Sequence, residues 1–106
     1  EFAIAPFGSI GTQLAFPLAL THLVDFIGLE GIVKCMSINP RSILQTEIPI
    51  IKENHSANIT IFNPAKKWTF NKANNMSLSE NTPFFGTELN GAVIGTILNE
   101  NYNLNN

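Results

Sequence analysis

The chain has 106 residues, room for one small domain with a modest core. Hydrophobic residues, at 44%, are ordinary, but charged residues reach only 13%, about half the usual share. A formal net charge of −2 leaves no basic footprint, so nucleic acid is not an expected partner. With so few charges to cover a free-standing surface, part of that surface is expected to lie against other protein. Cys35 is the only cysteine, which excludes an internal disulfide and any multi-cysteine metal site. It falls in an apolar helical stretch and is expected to be buried and inert, packing as a small hydrophobe. A reducing, cytoplasmic setting fits a single free thiol.

The first residues, Glu1-Phe2-Ala3-Ile4-Ala5-Pro6-Phe7-Gly8, carry no methionine and no basic stretch. They fit neither a secretory signal nor a transit peptide and read as a start inside a longer protein. Residues 5–12 form a loop with two glycines and a proline, opening into an apolar helix over 12–26. Leu14, Leu18 and His22 recur at spacing four, as do Phe16, Leu20 and Val24, so most of the circumference is apolar. Such a helix is buried on more than one face. Pro17 sits in its first turns, where a missing donor costs least, and Gly28 supplies a C-cap. The apolar run over 14–20 is interrupted by Pro17 and followed by His22 and Asp25, too short to span a bilayer; no membrane partner is expected.

A second helix is expected over 29–38, with Ile32, Val33 and Met36 as its stripe, stopped by Asn39-Pro40. Asn39 would cap a short third segment over 40–44, with proline at the favoured first position. From Glu47 the pattern changes to short strands. Ile48, Ile50 and Ile51 make an apolar run that Pro49 confines to an edge or bulge. Strands are expected over 57–62, 67–70 and 92–98, separated by turn signals at Asn63-Pro64, Asn74-Asn75 and the hairpin-type dipeptide Asn90-Gly91. Residues 99–106 read as a polar tail that frays.

The chemical inventory is thin. His22 and His55 lie far apart in different kinds of structure, and each reads as a structural or surface histidine rather than a ligand. There is no H-x-H, H-E-x-x-H or G-x-S-x-G, and the acids are scattered without pairing for acid–base work. Lys66-Lys67 reads as a solvated turn. The loop over 6–11 is the one candidate, because glycines let a ligand approach the backbone and N–H groups before a helix favour anions. On spacing alone the signal is weak, and a structural turn is the default reading.

Five segments, however, form a familiar ordered set. Ala5-Pro6-Phe7-Gly8-Ser9-Ile10-Gly11 before an apolar helix is similar to the A-P-F-G-x-x-G segment of dihydroorotases. Asn39-Pro40-Arg41-Ser42-Ile43-Leu44 resembles their N-P-A-x-I-L-G motif. The stretch Ala57-Asn58-Ile59-Thr60-Ile61-Phe62-Asn63-Pro64, then Trp68-Thr69, resembles A-D-L-T-L-F-D-P followed by W-T. Ser79-Glu80-Asn81-Thr82-Pro83-Phe84-Phe85-Gly86 is similar to S-x-N-T-P-F-x-G, and residues 91–98 to the closing G-x-V-x-x-T-I strand. Three departures stand out. Thr12-Gln13-Leu14 replaces L-E-T, Asn58 and Asn63 replace aspartates, and Asn54 stands where glycine is common.

The resemblance implies a metal-dependent amidohydrolase, a (β/α)8 barrel with a small β-sandwich beside it. This chain would be an α+β fragment of it. Residues 1–46 would be the last loop and helices of the barrel, 47–99 the C-terminal sandwich strands, and 100–106 a polar tail. The implied activity is reversible hydrolysis of dihydroorotate to carbamoyl-aspartate in pyrimidine biosynthesis. A metal serves such a reaction by polarising the amide carbonyl and supplying hydroxide near neutral pH. The zinc ligands implied for the parent enzyme (an H-x-H, a modified lysine, two further histidines and the aspartate of D-H-A-P-H) all lie upstream of Glu1, so this chain carries neither metal ligands nor catalytic residues. Only Phe7 and Gly8 match a substrate-contacting motif, through their backbone, on a loop where barrel enzymes place their sites. Implied partners are the remainder of the barrel, the substrate, and aspartate transcarbamoylase or a second copy. The alternative is a non-catalytic scaffold of the same family that binds aspartate transcarbamoylase.

Overall fold

The apolar stretch after Gly11 becomes helix α1 (Ala15–His22), entered through a turn in which the Leu14 and Ala15 N–H groups donate to the Gly11 carbonyl at 2.9 and 2.8 Å. The computed structural model describes residues 8–104, so Phe7 lies outside the described residues. Pro17 occupies the first turn of α1, where no intrahelical donor is needed, and both it and Leu20 are buried. The single helix expected over 12–26 is divided: Leu23 takes φ −116° and ψ −14°, and α2 (Val24–Val33) restarts beyond it. Gly28 leaves helical geometry at φ 68° and ψ 169°, bending the chain inside α2. That conformation is inexpensive only for glycine.

Asn39-Pro40 does not stop the helical path. A π-helical turn, Lys34–Ile38, carries the chain into α3 (Asn39–Ile43), whose first turn holds Pro40. A proline there leaves no required donor unmade. Asn39 is itself helical, at φ −62° and ψ −45°, and no side chain caps α3, so the capping role expected for Asn39 is overturned.

Three antiparallel strands, β1 (Asn58–Thr69), β2 (Glu88–Leu98) and β3 (Asn101–Leu104), form a sheet in that order. The two strands expected on either side of Asn63-Pro64 are one. Residues 64–66 bulge between the pairs Asn63↔Ala92 and Lys67↔Asn90, and Asn63 Oδ1 accepts from the Ala65 N–H at 3.0 Å. Proline, lacking an N–H, suits a bulge that makes no ladder bond. Asn90-Gly91 is no hairpin turn either: it lies inside β2, opposite that bulge. The β2–β3 turn instead uses Asn99 at φ 54°, and the expected fraying tail supplies β3. Residues 48–51 form no strand.

Leu14, Phe70 and Leu89 are fully buried together, with Ile10, Leu18, Trp68, Phe84 and Phe85 packed against them. Phe85 stacks on Phe70 with centroids 5.1 Å apart, and Trp68 meets Phe70 edge-on at 6.2 Å. On the other side of α1, Phe16 meets Phe62 of β1 edge-on at 4.7 Å. The expectation that α1 is buried on more than one face therefore holds. Farther along, only Ile32 of the predicted stripe is buried, while Val33 and Met36 are exposed. Cys35, expected to be buried, is exposed in the π-helical turn. The side of α2 and α3 that carries it has little of the described chain packed over it.

Candidate functional site

Gly8 is exposed on the loop leading into α1, at φ 71°. A Cβ there would meet no described atom within 4 Å, so the glycine answers to its backbone angle and leaves an open face. The loop is held from one side by residues 74–81. Asn81 donates from Nδ2 to the Gly8 carbonyl, and its own carbonyl accepts from the Ile10 N–H at 3.0 Å. Five residues after Gly8, Gln13 makes a second double tie. Its Nε2 donates to the Asn74 carbonyl at 2.8 Å, and its Oε1 accepts from the Met76 N–H at 3.0 Å. An amide is suited to this place because it both donates and accepts, which an ionised glutamate cannot.

The gripping segment is itself wound tightly. Asn71 and Asn74 form a capping box around a 3-10 turn, Lys72–Asn74. Asn75 Oδ1 accepts from the Ser77 N–H at 3.0 Å, and its Nδ2 donates to the Ser77 and Ser79 carbonyls at 3.2 and 2.9 Å. Ser77 Oγ accepts from the Ser79 N–H, and Ser79 Oγ from the Asn81 N–H at 3.1 Å. Lys72 pairs with Glu80 across the segment. Beyond Asn81, Phe84 and Phe85 enter the core, and the Gly86 N–H donates to the Phe70 carbonyl at 2.8 Å. A cavity of about 720 Å³ opens beside the loop, bordered by Gly11, Phe16, Lys66, Trp68 and Met76.

The expected site residues are thus unequally placed: Gly8 stands on the exposed loop, whereas Phe7 is outside the described residues. His22 is in the last turn of α1, and His55 lies in the loop before β1 with Nδ1 3.2 Å from the Glu53 carbonyl. Among the described residues no group of three or more His, Cys, Asp or Glu side chains is placed to hold a metal. The donors among the described residues do not fit a zinc site. None of the described helices is long and apolar enough to cross a membrane. Glu30, whose carboxyl is held below its ordinary pKa by a hydrogen bond and charge from Lys34, is fully exposed and remote from the loop in sequence. Sequence reasoning did not single out Asn81, and it met Gln13 only as part of a departure from L-E-T. The signal for Asn81 was its place in the S-x-N-T-P-F-x-G segment, and for Gln13 its place at the acid of L-E-T.

A helix-entry loop braced by residues 74–81, beside a three-stranded antiparallel sheet, makes this chain a small α+β unit. It is 41% identical over 98 residues to a dihydroorotase of Aquifex aeolicus, covering 92% of this chain and 23% of the relative. Dihydroorotases of Clostridium acetobutylicum (40% over 101 residues, 93% of this chain and 24% of theirs) and Syntrophus aciditrophicus (38% over 99 residues, 92% and 23%) match likewise. No family model matches. Over nearly its whole length the chain is similar in sequence to dihydroorotases. It spans about a quarter of the length of the curated relatives it matches, consistent with a C-terminal portion.

Proposed function

We propose that this chain is the C-terminal part of a dihydroorotase, in which residues 1–46 close the barrel beside the substrate and 47–99 belong to the adjoining sandwich. The whole protein would hydrolyse dihydroorotate reversibly to carbamoyl-aspartate in pyrimidine biosynthesis. The observation that carries this reading is the match at 41% identity over 92% of the chain. Zinc, which would polarise the ring amide, would be held by residues outside this chain.

Within this reading the chain's contribution is to bind and orient. Gly8 presents its backbone to the substrate ring, and the lack of a Cβ keeps that face open. Phe7, beside it, would share this role. The greasy faces of α2 and α3, where Phe26 is 83% and Ile43 80% exposed, would rest against the remainder of the barrel. The test is made on the full-length protein loaded with zinc. Dihydroorotate hydrolysis is expected, and Gly8→Val should lower kcat/KM on the order of a hundredfold by misplacing the ring. A full-length protein without hydrolytic activity that co-purifies with aspartate transcarbamoylase would establish the scaffold instead.

A further inference from the structure

We infer that Asn81 is a positioning residue for the loop that carries Gly8, fixing its backbone from outside; this rests on the reading of that loop as substrate-binding. Asn81 uses two of its own groups, a side-chain donor and a backbone acceptor, on two groups two residues apart in the loop, the Gly8 carbonyl and the Ile10 N–H. Together they close a ring around Gly8, Ser9 and Ile10, as a neighbouring strand would. The brace is needed at this point because Gly8, at φ 71°, is the residue with the most conformational freedom to lose.

A brace is only as stiff as its mounting, and this one is mounted at both ends. Behind Asn81, the Asn71–Ser79 hydrogen bonds wind the segment on itself, and Gln13 ties Asn74 and Met76 back to the start of α1. Ahead of it, Phe84 and Phe85 pack into the core around Phe70. The loop geometry is thereby referred to the sheet as well as to α1. Asn81 itself is only half-buried and lies outside the apolar core, so its loss falls on the loop rather than on the fold.

The test uses the full-length, zinc-loaded protein, with steady-state kinetics on dihydroorotate and hydrogen exchange read on residues 8–13. Asn81→Asp keeps the shape but turns a carboxylate toward the Gly8 carbonyl, and Asn81→Ser loses the amide donor and shortens the side chain while leaving the backbone tie. Both are expected to speed exchange across the loop and to lower kcat/KM roughly ten- to a hundredfold, with Asn81→Asp the stronger. Melting temperature should stay close to that of the parent. Loop exchange and kinetics both unchanged in Asn81→Asp would overturn the inference, while a large loss in Gly8→Val would leave the substrate-loop reading standing. Faster exchange without any kinetic change in Asn81→Asp or Gly8→Val would overturn that reading instead. A wild-type Ile10 amide that exchanges as fast as an open loop would overturn the inference without any variant.

Discussion

The two helical stretches have nearly the same apolar character and opposite fates. Along α1, Leu14, Pro17 and Leu20 are buried against β2 and the turn at Phe70, whereas along α2 only Ile32 is buried and Phe26, Ile27 and Val33 face outward. The difference lies in what the chain places opposite each helix. α1 meets a strand with a glycine at the point of contact, while α2 and α3 have no comparable packing against a strand among the described residues. Hydrophobicity marks a surface that needs a partner, but only complementary small residues on a neighbour show that the partner is in the same chain.

Truncating the shared core should have the largest effect. Phe70→Ala removes a ring that is 0% exposed and contacts Trp68 and Phe85, so urea denaturation of the whole protein should show a loss of about 3–5 kcal/mol. Phe26→Ala, at a site 83% exposed, should move the stability of the 106-residue chain by no more than about 0.5 kcal/mol. A loss above about 1 kcal/mol at Phe26 in that chain would mean that α2 is covered from within it, and the contrast would collapse.

The contact between α1 and β2 is the next place to press. A Cβ on Gly91 would stand 2.2 Å from Leu20 Cδ1, and Gly91 also has φ 81°. Gly91→Ala should therefore cost about 2 kcal/mol, from overpacking plus backbone strain, read as a lowered denaturation midpoint. Thr21 has a smaller share in the same contact. Its hydroxyl donates to the Pro17 carbonyl at 2.7 Å and accepts from the Asn90 N–H at 2.8 Å. Thr21→Val keeps the shape and loses both, at about 1 kcal/mol in the same assay. A neutral Thr21→Val would show that α1 is held by apolar contact alone.

That contact also explains what could be read in advance and what could not. Branched residues marked β1 and β2, and the five ordered segments pointed to the family, whereas Gly28, read as a C-cap, instead bends the chain inside α2. Asn90-Gly91 was misread because the same dipeptide serves two ends. It makes tight turns, and it also lets a helix approach a strand, with Gly91 bare beneath Leu20 and its carbonyl accepting from Trp68 Nε1 at 3.0 Å. Local sequence does not separate these uses. The asparagine-rich end was read as tail because polarity says nothing of a free edge on β2 waiting to pair. Of the candidate site, Gly8 was named only through the resemblance, since a glycine before a helix is common and a structural turn is its ordinary explanation. Asn81 was not legible, since its tie reaches across 73 residues and an asparagine in a polar loop has many possible partners.

If α2 lacks tertiary support within this chain, local pairs should matter to it more than to α1, and the ion pair between Glu30 and Lys34 tests this. The two are four residues apart with the acid first, the favourable order, and their charged atoms are 2.9 Å apart. Lys34 holds the Glu30 carboxyl below its ordinary pKa, through the hydrogen bond first and the charge second. A depressed carboxylate stabilises the folded form above its unfolded pKa and loses that contribution as pH falls through the folded value. Helicity of the 106-residue chain, followed by circular dichroism at low salt, should therefore decline slightly on the acid side of the ordinary glutamate range. Lys34→Ala should remove that step, and high salt should blunt it, since both groups are exposed. This is the smallest of the expected effects. Its persistence in Lys34→Ala would assign the step to another carboxylate and leave α2 with no local support to set against the packing of α1.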